Sequence, residues 1–207
     1  MIEPRLYLAS RSPRRRELLT QAGIRFDLLM MRGTTRQDDQ VDESWLAGET
    51  PETYVQRVAH AKAVFGTGLV AQRNLPAGLV LAADTTLDLD GEVIGKPRDD
   101  TDASNILRRL SGRRHRVLTS IVVAKSHAAG PQIKQHLSVN DVCFRTLTDH
   151  EIYRYVQSGE PMDKAGAYGI QGRAALFIES ISGSHSGIVG LPLSETALLL
   201  REFGYPI

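Results

Sequence analysis

The fold is best inferred from the segment RLYLASRSPRRR, which spans residues 5–16. Its first part, residues 5–9, is a short and mostly apolar run that is typical of a buried β-strand. A helix should begin directly after it, because Pro13 suits a first helical turn and Ser12 is then the natural N-cap. The segment therefore predicts a strand that leads straight into a helix, the basic unit of an α/β fold.

The same alternation continues along the chain. Residues 26–31 have the pattern of a second strand, and Thr50 followed by Pro51 marks a second helix, after which residues 66–78 look like a loop. The apolar run 79–83 predicts a buried strand, and Asp90-Gly91 predicts a hairpin turn between residues 86–89 and 92–94. The other predicted elements are strands over 117–124, 135–146 and 174–180 and helices over 102–110, 148–155 and 194–203. Together they predict an α/β fold with a mixed sheet, flanking helices and two lobes around a central cleft.

Composition limits the classes of function. The 207 residues suit one sizeable α/β domain, and 42% hydrophobic with 24% charged residues is ordinary for a globular protein. A net charge of +1 gives no general reason to expect a nucleic-acid or membrane partner. The chain has no apolar run of about 18 residues and no apolar signal segment at its start, so we expect a cytoplasmic protein.

Cys143 is the only cysteine, which excludes an intrachain disulfide and a cysteine-based zinc site. It lies in VNDVCFRTL, which alternates like a strand. A buried structural thiol is the expected role.

The first candidate site is the strand-to-helix turn. A helix N-terminus offers free N–H groups and the positive end of a dipole, and Ser10, Ser12, Arg14 and Arg15 add hydroxyl and guanidinium donors suited to phosphate. The alternative is a capped helix with a solvated basic first turn. Cations oppose the dipole at this end of a helix, so the arginines favour anion binding over a purely structural role.

Three further candidates are single charged residues. Asp84 follows the apolar strand 79–83, a usual place for a metal ligand or a general base, although it would also serve as a turn cap. Lys96 lies between Gly95 and Pro97, where it is positioned to meet a phosphate. Lys62 lies beside the apolar stripe of the second helix, where a lysine more often extends its ammonium group into solvent.

Two longer segments complete the candidates. In SGRRHR, residues 111–116, several cations follow a helix end, which a helix C-terminus with a glycine stop explains almost entirely. In DKAGAYGIQG, residues 163–172, glycine and alanine alternate with Asp163, Lys164 and Gln171. Small residues let a backbone approach a ligand closely, so this segment favours a binding site over a flexible surface loop.

Together these segments resemble the Maf family of nucleotide pyrophosphatases. The matching motifs, in chain order, are SxSPRR at 10–15, AKA around Lys62, ADT at 83–85, GKP at 95–97, LSGRxH at 110–115, GEPxDKAGAYGIQG at 159–172 and VGLP at 189–192. The resemblance covers essentially the whole chain, residues 1–207, as a single domain. Its co-linearity carries more weight than any single motif.

The resemblance implies a fold like that of inosine triphosphate pyrophosphatases, a positively charged cleft and, often, a homodimer. It implies hydrolysis of a nucleoside triphosphate that depends on a divalent metal cation, magnesium or manganese, with Asp84 as proton acceptor and metal ligand. Lys62 and Lys96 would act on the phosphates beside it. The matches implied to bind substrate are Ser10, Ser12, Arg14, Arg15, Thr85, Arg113, Asp163, Lys164 and Gln171, and the DKAGAYGIQG segment resembles the branch that acts on dTTP and UTP.

One departure and three alternatives stay open. The family often has paired glutamates after its second strand, whereas this chain reads RGTTRQDD at residues 32–39, so either Asp38 or Asp39 takes that role or the site works without it. A pyrophosphatase for 7-methyl-GTP or another modified nucleotide and a nucleotide-binding regulator of septum formation are the rival functions. A nucleic-acid-binding module is the third, and the near-zero net charge argues against it.

Overall fold

The computed structural model describes residues 4–29, 41–126 and 130–207. Its strands are β1 (Arg5–Leu8), β2 (Asp27–Leu28), β3 (Gly78–Leu89), β4 (Glu92–Ile94), β5 (Arg114–Lys125), β6 (Gln132–Phe144) and β7 (Ile178–Ser182). Its α-helices are α1 (Pro13–Gln21), α2 (Pro51–Gln72), α3 (Asp100–Leu110), α4 (Asp149–Val156), α5 (His185–Val189) and α6 (Leu193–Glu202). Short 3-10 helices cover Glu160–Asp163, Ala165–Ala167 and Arg173–Phe177.

The strands form one mixed sheet in the order β2-β1-β3-β5-β6-β7, with β4 paired to the far end of β3. β1 is parallel to β2 and β3, while β5, β6 and β7 follow in antiparallel pairs. Helices cover the sheet, so the predicted α/β class with a mixed sheet and flanking helices is confirmed.

A gap along one edge of β3 positions the site. β1 pairs with β3 up to Leu81, and β4 pairs with it only from Leu87 onward. Across the described residues, positions 82–86 therefore have a strand neighbour only on the β5 side. Because β1 runs directly into the start of α1, the N-terminus of that helix lies at this gap. The arrangement opens a cleft next to the middle of a long strand.

Side-chain alternation along β3 divides its residues between two helical layers. Leu79, Leu81 and Ala83 pack with residues of α1 and α6, whereas Val80 and Ala82 pack with residues of α2. Successive side chains of a strand point to opposite faces. Asp84 therefore faces α2, and Thr85 faces α1.

Local capping signals are confirmed at three helix starts. Ser12 caps α1 and Thr50 caps α2, each accepting a hydrogen bond from a backbone N–H three residues on. Thr148 and Glu151 form a capping box at the start of α4.

The strand expected over 174–180 begins only at Ile178, after a 3-10 helix at Arg173–Phe177. Two further expectations about extent are wrong for a shared reason. Residues 66–72, expected in a loop, continue α2, because Gly66 lies directly against Val80, where a Cβ would come within 2.8 Å of Cγ1. Asp84, expected at a strand end, lies mid-strand, because β3 continues to Leu89 with β5 as its partner. In both cases, contacts between residues that are distant in sequence extend an element beyond the end that the local sequence predicts.

Cys143 is half-buried, so the expectation of a buried thiol is also wrong. The pleat of β6 buries its neighbours Val142 and Phe144 and turns Cys143 to the other face, with Sγ 3.8 Å from Glu179 Oε2.

Among the helices of the described residues, none has the length and apolar character needed to cross a membrane.

Candidate functional site

A cavity of about 1040 Å³ occupies the gap beside β3. Pockets for small molecules commonly measure about 300–1,000 Å³, so this one has room for a nucleotide. Its lining brings together almost all of the residues singled out from the sequence: Ser10, Ser12, Arg14, Arg15, Lys62, Asp84, Thr85, Lys96, Asp163, Lys164 and Gln171. The structure therefore gathers segments from the whole length of the chain.

Arg15 anchors the arginine-bearing side of the cavity. Its guanidinium donates to the Gly190 carbonyl at 2.8 Å, to Ser10 Oγ at 3.0 Å and to Thr85 Oγ1 at 3.1 Å. Burial lowers the pKa of this guanidinium, and the nearby charge of Asp84 opposes that shift. Because an arginine has five N–H donors, two remain for an anion at the start of α1.

Thr85 links Arg15 to β5 through its hydroxyl. Thr119 Oγ1 donates to the Gly187 carbonyl at 2.8 Å, so Thr85 Oγ1 must be the donor in its 3.0 Å contact with Thr119. Its proton is then committed, and its oxygen accepts from Arg15. Thr85 thus holds Arg15 in place and ties it to β5.

The centre of the site is an ammonium group between two carboxylates. Lys62 Nζ lies 2.8 Å from Asp84 Oδ1 and 2.8 Å from Glu43 Oε1. Asp84 is only 8% exposed, and the Lys62 side chain is 18% exposed. The alternative in which the Lys62 ammonium extends into solvent is wrong, because the face of α2 that carries it packs over β3 at Asp84.

Glu43 was not identified from the sequence. It lies in a polar stretch without a periodic pattern, and only the fold brings it to Lys62. Asp38 and Asp39, considered for the family's acidic pair, lie outside the described residues. Asp42 and Glu43 line the cavity a few positions later in the chain and supply carboxylates there.

The donor set fits a divalent cation that is bound together with a triphosphate. Magnesium takes oxygen ligands, usually one or two carboxylates together with phosphate oxygens and waters. Glu43 and Asp84 provide two converging carboxylates. No cluster of three or more His, Cys, Asp or Glu side chains within the described ranges is placed to hold an ion alone, so phosphate oxygens would have to complete the coordination.

An ion pair crosses the cleft. Arg14 Nη1 donates to Asp163 Oδ2 at 3.0 Å, joining the first turn of α1 to the segment at 163–172. Lys164 Nζ lies 2.6 Å from Asp163 Oδ1 and 2.6 Å from the Glu160 carbonyl. Arg14, Asp163 and Lys164 thus connect the start of α1 to the segment at 163–172. A phosphate group bound here would compete with Asp163 for Arg14.

The 163–172 segment forms a closely packed wall rather than a flexible loop. Gly166 has φ +71°, and a Cβ there would come within 2.4 Å of Leu87 Cδ1. At Gly172 a Cβ would meet the Glu160 carboxylate at 2.0 Å, while Glu160 accepts from the Arg173 N–H. The positive φ and the nearby Leu87 favour glycine at 166, whereas a side chain at 172 would displace the Glu160 carboxylate from its place behind the wall. Exposed Gln171 lies on this wall, facing the cavity.

A buried histidine supports the same wall from behind. His115 Nε2 lies 2.7 Å from the hydroxyl of Tyr168, and the two rings meet edge to face with Phe144. Burial lowers the pKa of His115 from 6.5 to about 4, so the ring is neutral at pH 7. The contact between His115 and Tyr168 was not predicted from the sequence.

We expect His115 to make the protein less stable on mild acidification. Its depressed pKa means that between pH 6.5 and about 4 the unfolded chain binds a proton that the folded chain does not. Stability therefore falls as the pH falls through this range, by up to about 3 kcal/mol. Urea unfolding at pH 7 and pH 4.5 should show a smaller loss in His115→Gln than in the wild type. Equal losses in the two proteins would contradict the assignment.

Arg113 is the one predicted substrate-binding residue that the cavity lining does not include. Gly112, at φ +68°, turns the chain from α3 into β5, and Arg113 then faces the hairpin, where Nη2 lies 2.6 Å from Asp90 Oδ2. In the structure, Arg113 therefore braces the hairpin and lies outside the cavity lining, and its expected contact with substrate stays a prediction.

Comparison with known proteins agrees with this geometry. Residues 5–203 match the family model described as Maf-like protein. A dTTP/UTP pyrophosphatase of Aromatoleum aromaticum is 56% identical over 207 residues, covering 100% of this chain and 98% of the relative. Proteins of the same name from Dechloromonas aromatica and Ralstonia nicotianae are 55% and 54% identical, covering 97% and 96% of this chain and 98% and 94% of the relatives. The match along nearly the whole chain shows that this protein belongs to the Maf family.

Proposed function

We propose that this protein is a nucleoside triphosphate pyrophosphatase that hydrolyses dTTP and UTP to the monophosphate and pyrophosphate. The observation that carries the proposal is the Glu43–Lys62–Asp84 cluster facing the arginine-rich start of α1 across one cavity. Such a site combines a base with a strong anion cradle. The names of the full-length relatives agree with it.

The cationic side of the cavity would bind the triphosphate. Arg15 is held rigidly by three protein acceptors, and Arg14 lies one residue before it on the same helix turn. Lys96, exposed two residues after the end of β4, lines the same cavity. Fixed donors of this kind stabilise charge that develops during reaction, which is commonly the largest contribution to catalysis.

Asp84 would act on the attacking water. The water oxygen bonds to the α-phosphorus, its proton passes to the Asp84 carboxylate, and the bond from the α-phosphorus to the bridging oxygen breaks. Pyrophosphate leaves with the electron pair of that bond. Lys62 keeps the Asp84 carboxylate oriented toward the cavity and offsets its repulsion from the phosphates.

A divalent cation would bind at this pair of carboxylates together with the substrate. Glu43 and Asp84 would hold it. When bound, the ion neutralises phosphate oxygens and polarises the anhydride that is cleaved.

The wall at 163–172 would select the base. Ile170, Ile188 and Val189 line the cavity beside it and offer apolar contact to a flat ring. The Gln171 amide has one donor and one acceptor for the O4/N3–H edge of thymine or uracil. Cytosine inverts that pattern, so its rejection requires that the bound state hold the Gln171 amide in one orientation.

We expect dTTP and UTP to exceed GTP, ATP and CTP in kcat/KM by about tenfold or more, because each buried mismatched polar group costs about 1–3 kcal/mol. Gln171→Glu removes the amide donor and should reduce this preference more than it weakens triphosphate binding. Gln157→Glu, the same change at the exposed end of α4, is the matched control. A selectivity that is the same in all three proteins would show that Gln171 does not contact the base.

Product analysis tests the reaction itself. In ¹⁸O-labelled water, hydrolysis of dTTP should give labelled monophosphate and unlabelled pyrophosphate. Release of inorganic phosphate with a nucleoside diphosphate would contradict cleavage at the α-phosphorus. Retention of dTTP without turnover would instead support a nucleotide-binding regulator.

We also propose that this enzyme is a cytoplasmic homodimer. Its proposed nucleotide substrate supports the location, and the dimer is supported by the family resemblance alone. Sedimentation equilibrium tests the second point.

A further inference from the structure

The segment of residues 42–49, called the 42–49 segment below, is fastened to α2 by one arginine. Arg57 Nη1 donates to the Asp42 carbonyl at 2.9 Å, and Nη2 donates to the Ser44 carbonyl at 2.8 Å. The same guanidinium forms a fork on Glu49, with Nε at 2.7 Å from Oε1 and Nη2 at 2.9 Å from Oε2. Arg57 thus holds both ends of the segment.

Hydrogen bonds from α2 fix the backbone at Glu43 and at the residues directly before and after it. The residues before and after it are bound through their carbonyls to Arg57, and its own carbonyl accepts from the Tyr54 hydroxyl at 3.0 Å. Arg57 also stacks over the Tyr54 ring, with its guanidinium carbon 5.7 Å from the ring centroid. With the backbone fixed, the Glu43 side chain is directed to Lys62.

We propose that Arg57 is a positioning residue for the reaction: it holds the 42–49 segment so that the Glu43 carboxylate faces Asp84 across Lys62. The inference rests on the proposed function, because Glu43 matters only if the cluster is catalytic. Arg57 itself is absent from the cavity lining, so it acts through Glu43.

The geometry requires an arginine. A planar guanidinium can form a two-bond fork on a carboxylate and still reach two carbonyls, whereas a lysine ammonium is a point charge with three donors on one atom. The Glu49 side chain is only 6% exposed, so its bonds to Arg57 are shielded from solvent. Arg57→Lys therefore keeps the charge and removes the fork.

The chain carries its own reporter for this segment. Trp45 is the only tryptophan, lies within the 42–49 segment and donates from Nε1 to the Glu49 carbonyl at 2.8 Å. Its fluorescence anisotropy and its quenching by acrylamide report whether the segment is held, independently of turnover.

The experiment compares the wild type with Arg57→Lys, Arg57→Ala and Glu49→Gln. We expect lower Trp45 anisotropy and stronger quenching in all three, and a fall in kcat of about tenfold or more, as is typical when a residue that orients a metal-site carboxylate is changed. Arg145→Ala is the matched control, because Arg145 likewise binds one carboxylate and two carbonyls but lies away from the cavity. It should lower stability and leave Trp45 and kcat unchanged.

A double-mutant cycle separates positioning from general stability. If Arg57 acts through Glu43, Arg57→Lys should lower kcat about tenfold in the wild type and far less in Glu43→Gln, because the group that it positions is already gone. Additive losses, or a Trp45 signal that all three variants leave unchanged, would overturn the proposal. If the wild type hydrolyses no nucleotide, the proposed function fails while the Trp45 measurements still show whether Arg57 holds the segment.

Discussion

Asp84→Asn is expected to lower kcat at least about 100-fold while the protein stays folded, since loss of a general base typically costs about 10²–10⁴-fold. Asparagine keeps the shape of the side chain and its place in β3 but can neither accept the water's proton nor ligate a cation as a carboxylate does. Thermal stability should change little. Two carboxylates converge on Lys62, so the substitution removes one of them and leaves Glu43 as the partner of the ammonium group. Steady-state release of pyrophosphate from dTTP measures the effect.

Asp88→Asn provides the control on the same strand. Asp88 lies on the same face of β3, four residues on, is only 3% exposed and pairs with Arg116, but it does not line the cavity. The same chemical change there should lower the melting temperature and leave kcat near that of the wild type. An Asp84→Asn enzyme that kept more than about a tenth of the wild-type kcat would rule out its role as the base.

Lys62→Met is expected to lower kcat/KM about 100-fold or more, the loss typical when one electrostatic donor of an active site is removed. Methionine fills the space of the lysine stem but leaves the Glu43 and Asp84 carboxylates facing each other and the substrate without a cation. Lys62→Arg should recover part of the activity, because it restores the charge with different geometry.

Lys134→Met is the matched control, since Lys134 also pairs with a glutamate but lies outside the cavity lining. It should retain wild-type kcat/KM. If Lys62→Met does so as well, the contact with Asp84 is structural, and the phosphate charge must be balanced by Arg14, Arg15 and Lys96.

Features that depend on neighbouring residues were predictable from the sequence. Ser12 with Pro13 and Thr50 with Pro51 give helix starts, because a cap and its N–H partner lie within one turn. The Asp90-Gly91 turn is local in the same sense. Once the resemblance supplied the motifs, every residue that it implied for the site lines the cavity except Arg113, whereas Glu43 was missed.

Features that depend on distant contacts were not predictable. At Gly66, α2 packs directly against Val80 of β3, where only glycine leaves enough room. No residue near Gly66 in the sequence indicates this contact. Arg113 is drawn to Asp90 by the register of the hairpin. Glu43 and Arg57 carry no pattern of their own, and only the packing of the 42–49 segment on α2 shows what they contact.

The most direct test of the account is kcat/KM for the purified wild type across dTTP, UTP, CTP, GTP, ATP and 7-methyl-GTP, with Asp84→Asn measured in parallel to exclude a contaminating hydrolase. The account predicts dTTP and UTP as the best substrates by about tenfold or more, with pyrophosphate as product and with Asp84→Asn inactive on all of them. A best substrate among CTP, GTP, ATP and 7-methyl-GTP, or equal turnover by Asp84→Asn, would contradict this assignment.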